Sequence, residues 1–83
     1  MTTDSPIPDF TLRQLAYLVA AADEGTIAAA AGRLHVSASA ISDAITELER
    51  TLGAHLAIRR RAHGLTSAGA HVVAQARPLL AAA

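Results

Sequence analysis

Three hydroxyl-bearing residues, each placed before an apolar pattern of helical period, divide residues 11–53 into three short helices. Thr11 is a suitable N-cap, and Gln14 follows it at the spacing of a capping box. Thr26 and Ser37 are suitable caps for the second and third helices. The chain is therefore constrained to short, closely packed helices over this range.

The apolar residues of the three segments recur every three or four positions, which is the period of an amphipathic helix. They are Leu12, Leu15, Leu18, Val19 and Ala22 in the first segment, Ile27, Ala30, Ala31 and Leu34 in the second, and Ile41, Ile45, Leu48 and Leu52 in the third. Gly25 and Gly53 follow the first and third runs, where a residue of left-handed backbone is common. The second helix is predicted to end near Leu34.

A link of three residues, 35–37, joins the second helix to the third. The small side chains of Ala30, Ala31 and Ala40 would allow these two helices to cross closely. Two helices joined by so short a turn are typical of a helix-turn-helix. Helical hairpins that do not bind DNA share this pattern, so the spacing leaves both interpretations open.

After the third helix the period changes. Leu56, Ile58 and Leu65 flank residues 59–64, which predicts two short strands and a loop, the wing. Thr66 is a suitable cap for a last helix that begins near Ser67. Its apolar residues are Val72, Val73, Ala76, Leu79 and Leu80. Pro78 lies within this run and is predicted to kink or shorten the helix.

The composition agrees with a small helical domain. Of the 83 residues, 52% are hydrophobic but 2% are aromatic, and alanine, the best helix former, supplies much of the apolar count. The absence of cysteine excludes disulfides and thiolate metal sites. The histidines show no helical metal spacing, and we find no acid–base pair, nucleophile or glycine-rich phosphate loop, so we do not expect an enzyme. The acidic N-terminus and the lack of a long apolar run favour a cytoplasmic protein.

The charges are unevenly distributed although the net charge is +0. All acidic residues lie in residues 1–49, together with Arg13 and Arg33. The remaining arginines follow from residue 50 onward and include the triplet Arg59-Arg60-Arg61. Such a cluster indicates either a solvated loop or contact with nucleic acid.

The ordered set of these residues resembles the N-terminal domain of the LysR-type transcription regulators. The matching segments are Phe10-Thr11-Leu12-Arg13-Gln14-Leu15 with Tyr17; Glu24-Gly25-Thr26-Ile27; Ala30-Ala31; Leu34-His35-Val36-Ser37; Ala40, Ile41, Ser42, Ile45, Leu48 and Glu49; Leu52-Gly53, Leu56 and Arg59; and Leu65-Thr66 with Ala68-Gly69. The similarity spans about residues 10–80. The sequence departs from the family at Ala38-Ser39, where Gln-Pro is common, at Asp43, where a basic residue is common, and at Ala57, where phenylalanine is usual.

The resemblance implies a mainly α fold, a winged helix-turn-helix followed by a linker helix that pairs two subunits. We expect a flexible tail over residues 1–9, a DNA-binding domain over 10–66 and the linker helix over 67–83, truncated at its end. Val72, Val73, Ala76, Leu79 and Leu80 are the predicted dimerisation residues, and tetramers are expected only of a longer protein. Full-length members carry a C-terminal domain that binds a small-molecule inducer, so no cofactor is expected within these residues.

Tyr17 and Phe10 are predicted to anchor the core.

By resemblance, the third helix enters the major groove of double-stranded DNA and transcription is regulated. The candidate base-reading residues are Ala38, Ser39, Ser42, Asp43 and Thr46. The candidate phosphate and wing contacts are Arg13, Thr26, Ser37, Arg59, Arg60 and Arg61. The expected target is an interrupted inverted repeat bound by a dimer.

Two questions stay open on the sequence alone. Asp43 either accepts a hydrogen bond from a cytosine amino group or pairs with Arg50 or a wing arginine, and the sequence favours the pairing. The whole chain either reads DNA or is a helical dimerisation or adaptor module that keeps the fold without reading. Asp43, Ala38 and the zero net charge motivate the adaptor alternative.

Overall fold

A computed structural model describes residues 10–58 and 64–83 of the chain. The elements are α1 (Leu12–Glu24), α2 (Ile27–Leu34), α3 (Ala38–Leu52), β1 (Ala57–Ile58), β2 (Gly64–Leu65) and α4 (Ser67–Ala82). The predicted fold class, three helices and a two-stranded wing followed by a further helix, is confirmed. The tail and the loop with Arg59, Arg60 and Arg61 lie outside the described residues.

Local side-chain caps begin each helix where the sequence predicts. The Thr11 hydroxyl accepts from the Gln14 amide at 3.1 Å, and the Gln14 side chain accepts from the Thr11 amide at 3.0 Å. Thr26, Ser37 and Thr66 likewise accept hydrogen bonds from backbone amides three residues on. Each cap satisfies an amide that has no partner within its helix, so the starts of the helices depend on local sequence.

The turn between α2 and α3 is closed by His35. Its φ is 59°, in the left-handed region, and its backbone amide donates to the Ala31 carbonyl. The Val36 amide donates to the same carbonyl at 3.1 Å. A turn this tight sets the direction in which α3 leaves α2.

One apolar core joins all the helices. Leu18, Ile41, Ile45, Leu48 and Leu56 are its largest fully buried side chains. Helix α1 packs against α2, α3 and α4. Of the alanines predicted to lie at the crossing of α2 and α3, Ala30 and Ala31 are buried in this core and Ala40 is half-buried. Phe10 and Tyr17 are partly buried against this core, as predicted.

The prediction that Leu12 belongs to the core face of α1 is wrong. Its side chain is 48% exposed. Leu12 is the first residue of α1, and its Cβ points toward the N-terminal end of the helix, away from the packed turns that follow.

The strands pair antiparallel, with Ala57 opposite Leu65. Two contacts fasten this pair to the helices. The Glu49 carboxylate of α3 accepts from the backbone amides of Leu56 at 2.8 Å and Ala57 at 3.2 Å. From the other side, Gly69 of α4 lies so close to the residue before β1 that an added Cβ would be 1.9 Å from the Leu56 carbonyl oxygen. The base of the wing is therefore held between α3 and α4.

Helix α4 runs through Pro78 and ends at Ala82, so of the two predicted effects of the proline, a kink or a shorter helix, the second is wrong and the first stays a prediction. Proline removes one amide and crowds the carbonyl four residues earlier, which belongs to Ala74. Ala74 is exposed, so solvent can satisfy this carbonyl. The free side of the helix accommodates the ring.

Candidate nucleic-acid interface

Helix α3 has two sides of opposite character. Ile41, Ile45 and Leu48 form its core side and are fully buried. Apolar residues at this spacing occupy one stripe of a helix and leave the opposite stripe to solvent. The exposed stripe carries short polar side chains, which is the chemistry required to contact base edges.

The five predicted base-reading residues come together on this exposed side. Ala38, Ser39, Asp43 and Thr46 are exposed and Ser42 is half-buried. At about 100° per residue, all five lie within an arc of about 140°. Ala38 and Ser42 lie at the edge of this arc nearest to the core residue Ile45, and the other three face away from the core. The structure thus assembles the predicted residues into one continuous surface, and whether they read bases stays a prediction.

The beginnings of α2 and α3 lie at exposed or half-exposed hydroxyl residues. The Thr26 hydroxyl accepts from the Ala29 amide at 2.9 Å, and the Ser37 hydroxyl accepts from the Ala40 amide at 3.0 Å. The Ser37 and Ser39 hydroxyl oxygens are 3.3 Å apart. Capped helix starts of this kind combine hydroxyl donors with free backbone amides, and they suit an anionic oxygen such as that of a phosphate.

Ion pairs engage most of the arginines that the structure describes. Arg33 donates to Glu24 at 3.0 Å, and Arg77 donates to Asp23 at 2.7 Å. Arg50 pairs with Glu47, and this pairing raises the pKa of the Arg50 guanidinium. The predicted phosphate ligand Arg13 is exposed and has no such partner in residues 10–58 or 64–83.

Asp43 does not pair with Arg50, which corrects one interpretation of the sequence. Arg50 lies seven residues further along α3 and is taken by Glu47, which lies closer at three residues. No residue in the described ranges forms an ion pair or a side-chain hydrogen bond with Asp43. The wing arginines offered as alternative partners lie outside those ranges.

Sequence reasoning missed two links between elements of the fold that are distant in sequence or in structure type. Arg77 and Asp23 join α4 to α1 across 54 positions of sequence, and the hydrogen bonds from Arg77 hold the pKa of the Asp23 carboxyl below its ordinary range. Glu49 matches the family, but its link to the wing was not predicted. Neither pairing follows from helical spacing, because each joins residues that only the tertiary fold brings together.

The predicted dimerisation residues divide into two groups. Val73 and Ala76 are buried within the chain's own core, so the prediction that they face a partner is not supported by their position. Val72 and Leu80 are half-buried, and Leu79 is 52% exposed. A shallow groove beside Val72 and Leu79 is lined also by Phe10 and Leu52. This groove is an apolar surface on the side of α4 that carries the exposed Leu79.

Helices α2 and α3, their tight turn and the strand pair define a winged helix-turn-helix domain. Residues 12–70 match the family described as "Bacterial regulatory helix-turn-helix protein, lysR family". The chain belongs to this family, as its sequence predicts. Within the described residues, no helix is long and apolar enough to cross a membrane.

The similar proteins are named as regulators. The HTH-type transcriptional regulator TfdS of Cupriavidus pinatubonensis is 49% identical over 70 residues, which are 82% of this chain and 23% of that protein. The HTH-type transcriptional regulator ClcR of Pseudomonas putida is 48% identical over 69 residues, or 82% of this chain and 24% of that protein. The chain therefore spans about a quarter of the length of these regulators.

Two solved structures of similar fold contain DNA. The DNA-binding domain of CbnR in complex with DNA superposes with a TM-score of 0.83 at 42% identity, covering 88% of this chain and 85% of that one. The BenM DNA-binding domain in complex with benA site 1 DNA has a TM-score of 0.82 at 31% identity, covering 88% and 86%. These similarities favour the DNA-binding interpretation over the adaptor alternative.

Proposed function

We propose that this chain is the sequence-reading domain of a cytoplasmic LysR-type transcription regulator and that it binds DNA as a dimer. The observation that carries the proposal is the exposed polar side of α3, held opposite a fully buried apolar side. The similarity to domains solved in complex with DNA supports the same placement. In this placement α3 lies in the major groove with its N-terminal turns at the base edges.

Contacts to phosphate position such a domain, and contacts to bases give it sequence preference. Thr26 and Ser37 supply hydroxyls and helix amides for two phosphates, and Arg13 supplies an exposed cation from α1. Since the other described arginines are in ion pairs, most of the remaining positive charge is supplied by Arg59, Arg60 and Arg61. The sequence contains no lysine to replace them.

The wing contribution is tested by the salt dependence of binding. We expect affinity for a labelled duplex, followed by fluorescence anisotropy, to fall steeply as salt rises, because each neutralised phosphate adds about −0.9 to the logarithmic slope. Arg59→Ala should weaken binding to all duplexes alike and reduce the slope by about 0.9 for each subunit bound. Ser42→Ala should instead change the preference between sequences.

Arg33→Ala is the matched control, because Arg33 is already engaged by Glu24. It should leave the slope nearly unchanged. If the salt slope of Arg59→Ala equals that of the wild type, Arg59 in the wing does not contact the DNA phosphates. A wild-type domain that is folded by circular dichroism yet shows no salt-dependent binding would instead support the adaptor function.

The dimer is proposed to form through the outer side of α4. Leu79 is exposed there, Val72 and Leu80 are half-buried, and the groove with Phe10 adjoins them. Leu79→Gln should raise the dimer dissociation constant about tenfold or more in sedimentation experiments, because each subunit loses a buried leucine. Ala74→Gln changes an exposed residue on the opposite side of α4 and should leave the dimer intact. Equal effects of the two variants would place the interface elsewhere.

A further inference from the structure

Asp43 lies near the centre of the exposed side of α3. At about 100° per residue it is about 40° from Ser39 and about 60° from Thr46, and it points almost directly away from Ile41 and Ile45. Its side chain is exposed. If α3 enters the major groove as proposed above, this carboxylate faces the base edges together with its hydroxyl neighbours.

The electrostatic surroundings of Asp43 are unusual for a surface that approaches DNA. Helix α3 carries three carboxylates and one guanidinium, and Glu47 already engages that guanidinium. Within the described residues Asp43 has neither an ion pair nor a side-chain hydrogen bond. Its negative charge is therefore not neutralised by its own helix, and it is repelled by the phosphates on either side of the groove.

An ionised carboxylate has hydrogen-bond acceptors only. In the major groove guanine offers the acceptors N7 and O6, and thymine offers the acceptor O4 and a methyl group. Adenine places its N6 donor beside the N7 acceptor, so a carboxylate meets attraction and repulsion together. Cytosine offers the N4 amino donor without an acceptor beside it on its own major-groove edge.

We propose that Asp43 is a specificity-determining residue that selects cytosine at one position of each half-site, given the proposed placement of α3 in the major groove. Cytosine is selected because it attracts the carboxylate and because the acceptors of the other bases repel it. Cytosine N4 donates to the carboxylate, whereas guanine N7 and O6 oppose it in a partly desolvated groove. A wrong base leaves the charge unpaired, which makes rejection stronger than the gain from the correct contact alone.

The matched pair of variants is Asp43→Ala and Glu47→Ala. Each removes one exposed carboxylate from α3 and introduces the residue with the highest helix propensity, so both variants are expected to fold. Glu47 lies one turn further on and is engaged by Arg50. The two variants change the net charge equally but differ in whether they remove the unpaired acceptor.

The experiment is selection from a random duplex library with residues 1–83 of the wild type and of each variant, followed by affinities for the selected site with each base at the cytosine position. The wild type should prefer cytosine over every other base by about fivefold or more. Asp43→Ala should reduce that preference to within about twofold, whereas Glu47→Ala should keep it.

Three outcomes overturn the proposal in different ways. If Asp43→Ala binds every sequence more tightly but keeps the wild-type preference, Asp43 only repels phosphate and reads no base. If the folded wild type enriches no sequence at all, the proposed DNA-reading function fails, and the role of Asp43 fails with it. Enrichment of an inverted repeat without a cytosine preference overturns the role of Asp43 and leaves the DNA-reading function standing.

Discussion

The two longest helices, α3 and α4, use their apolar residues differently. In α3 the large apolar residues Ile41, Ile45 and Leu48 are fully buried within the chain. In α4 the large apolar residues differ in burial, because Val73 is buried whereas Leu79 is 52% exposed. Both helices are amphipathic, but α3 leaves only Leu52 at its C-terminal end half-buried, whereas α4 leaves Val72 and Leu80 half-buried and Leu79 exposed.

This difference indicates what kind of partner suits each helix. The free side of α3 carries hydroxyls and a carboxylate, and it suits a polar partner with hydrogen-bonding edges. The free side of α4 carries leucine and valine, and it suits a second apolar surface. The difference also predicts that equivalent truncations in the two helices have very different consequences for the isolated chain.

The largest effect is expected from truncating the core side of α3. Ile45→Ala should lower the free energy of unfolding by about 2–5 kcal/mol, because it removes buried atoms and leaves a cavity. Leu79→Ala removes a comparable side chain that is 52% exposed and should cost far less in a dilute monomer. Denaturant unfolding followed by circular dichroism compares the two. Similar losses at low concentration would show that α4 is as deeply packed as α3.

An intermediate effect is expected where α4 meets the wing. Gly69→Ala should lower the free energy of unfolding by about 1–3 kcal/mol, because the new Cβ would overlap a backbone oxygen of Leu56 that has little freedom to move. Gly32→Ala is the control, since a Cβ there meets no atom within 4 Å. It should instead stabilise α2 by about 0.5–1 kcal/mol. If both variants were more stable than the wild type in thermal melts, the close approach of α4 to Leu56 would be disproved.

The smallest effect is expected from the ion pair that joins α1 to α4. The pKa of Asp23 is lowered by the Arg77 hydrogen bonds, so its stabilising contribution is present above the ordinary value of 3.8 and is lost as pH falls through the lowered pKa. Asp23→Asn should therefore lower the Tm slightly at pH 7 and make a smaller difference in acid, as the Asp23 carboxyl becomes protonated. Both groups are substantially exposed, so salt should reduce the effect. A larger difference between the proteins in acid than at neutral pH would reverse the predicted sign.

The features that could be predicted from the sequence depend on neighbours three or four residues apart. The capping box of Thr11 and Gln14 and the cap at Ser37 involve residues three positions apart, so a one-dimensional pattern contains them. The core side of α3 follows in the same way from the period of Ile41, Ile45 and Leu48. For the candidate site, the same period places Ser39, Asp43 and Thr46 on one exposed surface.

The features that could not be predicted depend on the tertiary arrangement. Nothing in the period of α4 indicates that Val73 and Ala76 serve the chain's own core while Leu79 does not. The spacing of Asp43 and Arg50 suggested a pair, but Glu47 lies closer to Arg50 on the helix and engages it. The bond between Asp23 and Arg77 requires α1 and α4 to be packed first.

The Glu49 carboxylate, which accepts from the amides of Leu56 and Ala57, orders the start of the wing before any partner arrives. Groups that are already ordered lose less conformational entropy when a complex forms. We therefore expect that little folding of the base of the wing accompanies DNA binding. The heat-capacity change of DNA binding, measured by calorimetry, should then reflect the apolar surface buried in the contact. It should lack the larger negative contribution that accompanies a segment folding on its partner. Glu49→Ala, which frees both amides, should make that heat-capacity change more negative.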